Sequence, residues 1–218
     1  MSAALLLESL PAVAAGFGVT LLMWLPGLAL GLALGLALAL LRQYGGRALD
    51  AALGLVLAVV RGTPFLIQLF LLYYGGPLVG VELDATAAGL LGLAAYGGAY
   101  YAEIMRGGFQ AVPRGHVEAA TMAGLSPAQT LRRILLPEMA LLILPAAVNM
   151  AVVLMKETAV LSIITVPELT MVITGIGSSN FAFTEAAFLL AVAYWALTEA
   201  SGAAGRAIER RMTRARLA

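Results

Sequence analysis

The sequence predicts an all-α membrane protein with about five membrane-spanning helices. Three observations lead there. Of 218 residues, 61% are hydrophobic and 11% are charged, where a soluble domain carries roughly 25% charged residues. The mean hydropathy is +0.95, more apolar surface than one soluble core of this size could hide. The few charges cluster between long apolar runs, as expected when loops are wet and spans are not.

The spans follow in order. No charge occurs from Ser9 to Leu41. That run is too long for a signal-peptide core and lacks a basic stretch before it, so it predicts an uncleaved first span at 17–41. Arg42 and Arg47 follow. A second span covers 51–76 and contains Arg61. Glu82 and Asp84 mark the next loop, and a third span covers 85–105, ending near Glu103. A polar loop, 106–138, precedes a fourth span at 140–160. The segment 157–184 is apolar but broken by Pro167, Gly175 and Gly177; non-helical backbone at membrane depth needs protein or water around it, so it is expected to line a cavity or gate. The final span covers 185–204. The whole chain, 1–218, reads as a single transmembrane domain.

The cations orient it. All but two of the 13 lie in the first loop (Arg42, Arg47), the third loop (Arg106, Arg114, Arg132, Arg133) or the tail (Arg206, Arg210, Arg211, Arg214, Arg216). The positive-inside rule then places the N-terminus outside and the C-terminus in the cytoplasm, consistent with an odd number of spans. Gly27, Gly31 and Gly35 recur every four residues in the first span, a spacing that permits close helix approach.

Composition also excludes chemistry. There is no cysteine and one histidine, so no thiolate nucleophile or histidine-rich metal site can form. The single lysine, Lys156, follows Leu154-Met155, and a Walker A loop needs Gly-Lys-Ser/Thr. No nucleophile–base pair and no basic nucleic-acid footprint is present. The chain cannot bind ATP through a Walker A loop.

The third loop carries the most specific pattern: Glu118-Ala119-Ala120, three residues, Gly124, nine residues, Ile134, one residue, Leu136-Pro137. With Ala123, Leu125 and Ser126 it predicts a short, small-faced cytoplasmic helix over 118–126, broken near Gly124 and Pro127, that can seat in a partner's groove. This loop resembles the signature loop of ABC importer membrane subunits. Arg61-Gly62-Thr63-Pro64, Ala102-Glu103-Ile104-Met105-Arg106 and Leu154-Met155-Lys156-Glu157-Thr158 extend the resemblance to the polar amino-acid branch, which serves histidine, glutamine, glutamate, arginine and opines. The resemblance implies a type I importer permease of the bacterial cytoplasmic membrane, coupled through 118–126 to two ATP-binding subunits. It further implies a second permease subunit, identical or paralogous, and a periplasmic or lipid-anchored solute-binding protein. ATP and Mg would sit on the partners, with no cofactor in this chain. Importers of methionine, a metal chelate or an oxyanion are an alternative, and a stand-alone channel or carrier a more distant one.

Intramembrane ions complete the list of candidate site residues. Arg61 lies about 16 Å along a helix from Asp50, near mid-membrane, where an unpaired arginine costs about 2.5–3.5 kcal/mol. Two readings stand: it meets a substrate carboxylate, or it pairs structurally with Glu103. Pro64 frees carbonyls beside it, and Thr63 and Gln68 add polar groups. Adjacent Lys156 and Glu157 point about 100° apart on a helix, and Asn149 lies two turns before Glu157. Arg61 and Glu157 could supply the opposite charges that a zwitterion requires. His116 reads as a plain polar contact, and Glu199 as a partner for Arg206.

Overall fold

The computed structural model describes residues 3–217, with side chains placed over 7–212. Nine α-helices make up the described chain. Helix α1 (Ala3–Tyr44) runs well past both predicted ends, through Pro11 and Pro26. Helices α2 (Gly46–Gly62) and α3 (Phe65–Tyr73) follow, then α4 (Ala85–Ala111). Asp84 caps α4 by accepting from Ala87 N–H at 2.9 Å, which satisfies one otherwise orphaned donor. Short helices α5 (Arg114–Met122) and α6 (Pro127–Thr130) precede α7 (Leu136–Glu157). Helix α8 (Leu169–Ser179) and the long α9 (Phe183–Leu217) complete the chain.

Helix α4 is the central element, with fourteen buried residues along its length. The glycine stripe of α1 packs directly on it. A Cβ at Gly27 would lie 3.0 Å from Leu93 Cβ, and one at Gly31 would lie 3.3 Å from the Gly98 nitrogen. At Gly35 it would sit 2.5 Å from Tyr101 Cβ. Two polar side chains then lock α7 to this pair. Trp24 donates to the Ala151 carbonyl at 2.9 Å and Tyr101 to the Ala147 carbonyl at 3.1 Å, so both amphipathic rings bury their bodies and still satisfy their donors. Leu69, Leu93, Tyr101, Leu154, Leu161 and Ile164 are fully buried in the core.

Two expectations are revised. The predicted second span at 51–76 is two helices, bent by 102° at Thr63-Pro64. Proline removes a donor and clashes with the preceding turn, and here the result is a corner. The predicted docking helix at 118–126 begins earlier, at Arg114 beyond Pro113, and ends at Met122. The open segment 157–184 resolves into a 3₁₀ turn over Thr158–Ile164, a Pro167 break and α8.

Three helical runs are long and apolar enough to cross a membrane: Leu7–Tyr44, Pro127–Ile164 and Phe183–Met212. The bent pair α2–α3 makes a fourth if counted as one span. Helix α4 is 27 residues long, but its glycines, Glu103 and Arg106 lower its hydropathy. A helix enclosed by other helices does not face lipid and can carry such residues. Glu199 lies 4.0 Å from Arg206, as expected for that pair. Arg214 and Arg216 of the basic tail lie beyond the described side chains.

Candidate functional site

The 118–126 unit is a surface knob. Glu118, Ala119, Ala123, Gly124 and Ser126 are exposed, Leu125 is half-buried, and Ala120 alone turns inward. Gly124 has φ +77°, a left-handed conformation that glycine adopts without steric cost, and it ends the helix after Ala123. Ser126 then opens α6 with a capping box: its hydroxyl accepts from Gln129 N–H, and the Gln129 side chain accepts from Ser126 N–H. The knob is thus small-faced, rigidly capped and open to a partner. Met122, which the motif reading did not single out, projects from it at 89% exposure. Its signal in the sequence is the one large unbranched apolar side chain among small residues; methionine suits adaptable binding surfaces.

At the α2–α3 corner, the candidate polar groups serve the backbone. Gln68 Nε2 donates to the Val60 carbonyl at 2.7 Å and to the Thr63 carbonyl at 2.8 Å. Thr63 Oγ1 donates to the Val59 carbonyl at 2.9 Å, and Tyr100 OH to the Arg61 carbonyl at 3.2 Å. Backbone groups freed at membrane depth must find partners inside the protein, and these side chains supply them.

The charge of Arg61 is turned toward α4. Its guanidinium lies 3.6 Å from Glu103 Oε2. The same carboxylate oxygen accepts from Arg42 at 2.9 Å, and Arg106 binds the other oxygen through Nε at 2.7 Å. Arg42 also bonds Asp50 at 2.7 Å. Three arginines from three helices therefore converge on one glutamate. Glu103 sits about 27 Å along α4 from Ala85, toward the helix's C-terminal end. Asp50 and Arg61 both lie on α2, ahead of the corner, and the Arg61 guanidinium shares its carboxylate with Arg42. Arg42 was read as a loop cation, but α1 continues past it and leaves its side chain only 11% exposed.

Arg61 and Glu157 do not meet. A row of rings lies between their elements: Phe65 to Tyr96 at 5.2 Å and Tyr96 to Tyr100 at 4.9 Å between centroids. Glu157 is half-buried within electrostatic reach of Tyr96. Lys156 and Asn149 are exposed on α7. Among the described residues, none of Asn149, Lys156 and Glu157 makes a side-chain hydrogen bond or ion pair within the chain. They are the polar groups of this region left available to a ligand or a neighbouring subunit.

Glu168 is a charged residue that the sequence reading passed over. It is fully buried, caps α8 by accepting from Met171 N–H at 2.8 Å, and accepts from Tyr194 OH at 2.8 Å. Tyr194 also contacts Thr170 at 3.0 Å. The next residue, Leu169, donates its N–H to Thr20 Oγ1 at 3.1 Å. The cluster ties α1, α8 and α9 together. Pro167-Glu168 before an apolar run is a recognisable helix start, but burial of the carboxylate depends on residues far away in sequence. Among the described residues no cluster of His, Cys, Asp and Glu has metal-ligand geometry.

Comparison with known proteins gives a consistent set of similarities. Residues 27–214 match the family described as binding-protein-dependent transport system inner membrane component. The chain is 35% identical over 193 residues to the probable amino-acid ABC transporter permease protein YckA of Bacillus subtilis, covering 88% of this chain and 85% of the relative. It is 32% identical over 206 residues to the glutamine transport system permease protein GlnP of Escherichia coli K12, covering 94% of each. Among solved structures, an amino acid ABC transporter crystallised with histidines superposes with a TM-score of 0.88 at 31% identity, covering 97% of this chain and 99% of that one. The methionine transporter MetNI in an inward-facing form, at 21% identity and a TM-score of 0.78, shares the fold.

Proposed function

The chain belongs to the binding-protein-dependent transport system inner membrane components, the permease subunits of ABC importers, and we propose that it moves polar L-amino acids across the bacterial cytoplasmic membrane. It is not itself an enzyme: ATP hydrolysis belongs to partner subunits. The observation that carries the reading is the exposed knob at 118–126. It presents the first part of the importer pattern, which continues to Ile134 and Leu136-Pro137, on a chain with no Walker A loop of its own.

Five spans cross the membrane, with α2–α3 as one broken span and α4 as the enclosed one. The N-terminus lies outside, because the cations of 42–47, 106–133 and the tail then share the cytoplasmic side. Two copies, or one copy and a paralogue, form the pathway. Two ATP-binding subunits seat on the 118–126 knobs through Glu118, Ala119, Ala120, Ala123, Gly124, Leu125 and Ser126, and a solute-binding protein delivers the substrate from outside.

The pathway residues divide by task. Glu157, Asn149 and Lys156 face the substrate, since they are polar and make no side-chain hydrogen bond or close ion pair within the chain. Glu157 meets the α-ammonium. Arg61, held at the bend, meets the α-carboxylate when the Glu103 contact opens. Thr63, Gln68 and Glu103 hold Arg61 in place. ATP-driven uptake into proteoliposomes carrying the whole complex tests this division. Glu157→Gln is expected to cut uptake at least tenfold while leaving expression and ATPase binding intact, because a lost charge-assisted contact is worth about 1.5–3 kcal/mol. Arg61→Leu is expected to cut uptake comparably. Full uptake by both variants would remove these residues from the pathway.

A further inference from the structure

Helix α5 is weakly fastened to the membrane helices. Its one buried residue is Ala120. The regular α-helical backbone that leaves it is interrupted twice before α7. The first is the Gly124 turn, at φ +77°. The second is a π-helical turn over Leu131–Leu135, a wider coil that locally breaks the α-helical ladder. Displacement of α5 therefore has no continuous helix to follow into α7.

One contact bypasses them. His116 Nδ1 lies 2.7 Å from Glu138 Oε2, across 22 residues of sequence. An ionised carboxylate can only accept, so Nδ1 carries the hydrogen. Among the described residues this is the only side-chain hydrogen bond or ion pair that joins α5 to another helix. Its far end is firmly mounted. Glu138 lies in the first turn of α7, and the next residue, Met139, is buried in the core. Met139 packs so close to α4 that a Cβ at Gly108 would lie 2.8 Å from its Cγ.

We propose that the His116–Glu138 pair is a strut that carries displacement of α5 directly into α7, which makes both of them positioning residues of the transport cycle. The inference rests on the reading of 118–126 as the ATPase-docking surface. Force moves through packed and hydrogen-bonded elements with discrete arrangements. Here that route ends on α7, the helix that carries Asn149, Lys156 and Glu157.

The test is the number of amino-acid molecules imported per ATP hydrolysed by the reconstituted complex, measured beside retention of the ATPase subunit in a pull-down. His116→Ala and Glu138→Ala are expected to retain the ATPase but to lower the ratio by roughly two- to thirtyfold, the range for residues along coupling networks. The exchanged pair, His116→Glu with Glu138→His, is expected to recover it. The chain has no cysteine, so His116→Cys with Glu138→Cys gives a second reading: a short bifunctional thiol crosslinker should restore a ratio that the reduced form lacks. An unchanged ratio in the alanine variants overturns the strut. So does an exchanged or crosslinked pair that stays as low as the single variants. Failure of the wild-type permease to retain the ATPase would instead overturn the docking reading.

Discussion

Gly35→Val is expected to lower the thermal midpoint of the folded permease sharply, while the same substitution at Gly18, on the same helix, is expected to leave it nearly unchanged. A Cβ at Gly35 would stand 2.5 Å from Tyr101 Cβ and 3.0 Å from the Ala102 nitrogen. The obstruction is largely backbone and the root of a fully buried side chain, so it cannot swing aside. Relief would require α1 to move off α4, which would also disturb the Tyr101 contact to the Ala147 carbonyl. Overpacking of this kind costs about 1–3 kcal/mol, occasionally more, against a total stability of about 5–15 kcal/mol. A Cβ at Gly18 meets nothing within 4 Å. Both valines carry the same helix-propensity cost, so their difference isolates packing. Thermal unfolding of the two detergent-solubilised variants by fluorescence size-exclusion is the measurement. Equal midpoints would show that the α1–α4 seam is looser than described.

The second large effect is expected at the knob. Gly124→Asp should leave the permease folded but lose the ATPase subunit in pull-downs. There is open space at this position, and aspartate tolerates positive φ better than most residues, so the fold is spared at a cost of about 1–2 kcal/mol. The proposed docking face gains a side chain and a negative charge among small residues. Losing a central contact of this kind costs about 2 kcal/mol or more, an affinity loss of roughly thirtyfold. Gly124→Asn, of nearly the same shape and without the charge, separates backbone strain from electrostatics and should bind with intermediate strength. Retained assembly and full transport by the aspartate variant would contradict the assignment of this surface.

Much of this was legible in the sequence because the relevant physics is local or periodic. The absence of charge from Ser9 to Leu41 gives α1. The four-residue glycine spacing gives a face of close approach, and the structure shows that α4 fills it. The spacing from Glu118 to Pro137 gives the knob. The rest depended on three-dimensional closure. Pro64 announces a break but not a 102° corner, because the angle depends on how Gln68, Thr63 and Tyr100 satisfy the freed carbonyls. Glu103 was visible as a candidate partner for Arg61. The i,i+3 spacing of Glu103 and Arg106 makes that pair local, whereas the Arg42 contact follows only from where the ends of α1 and α4 meet. The docking helix was placed four residues late because the motif starts at Glu118 while the helix starts after Pro113. Glu168 went unremarked because nothing near it in sequence shows that Thr20 and Tyr194 close over its helix end.

The most direct measurement of the central claim is ATP hydrolysis by the complex of this permease with its ATP-binding subunits and solute-binding protein in lipid vesicles, titrated with a panel of L-amino acids. At least one polar L-amino acid is expected to stimulate hydrolysis through the loaded binding protein, and the stimulation is expected to disappear in Gly124→Asp. Hydrolysis indifferent to every L-amino acid on the panel would contradict it.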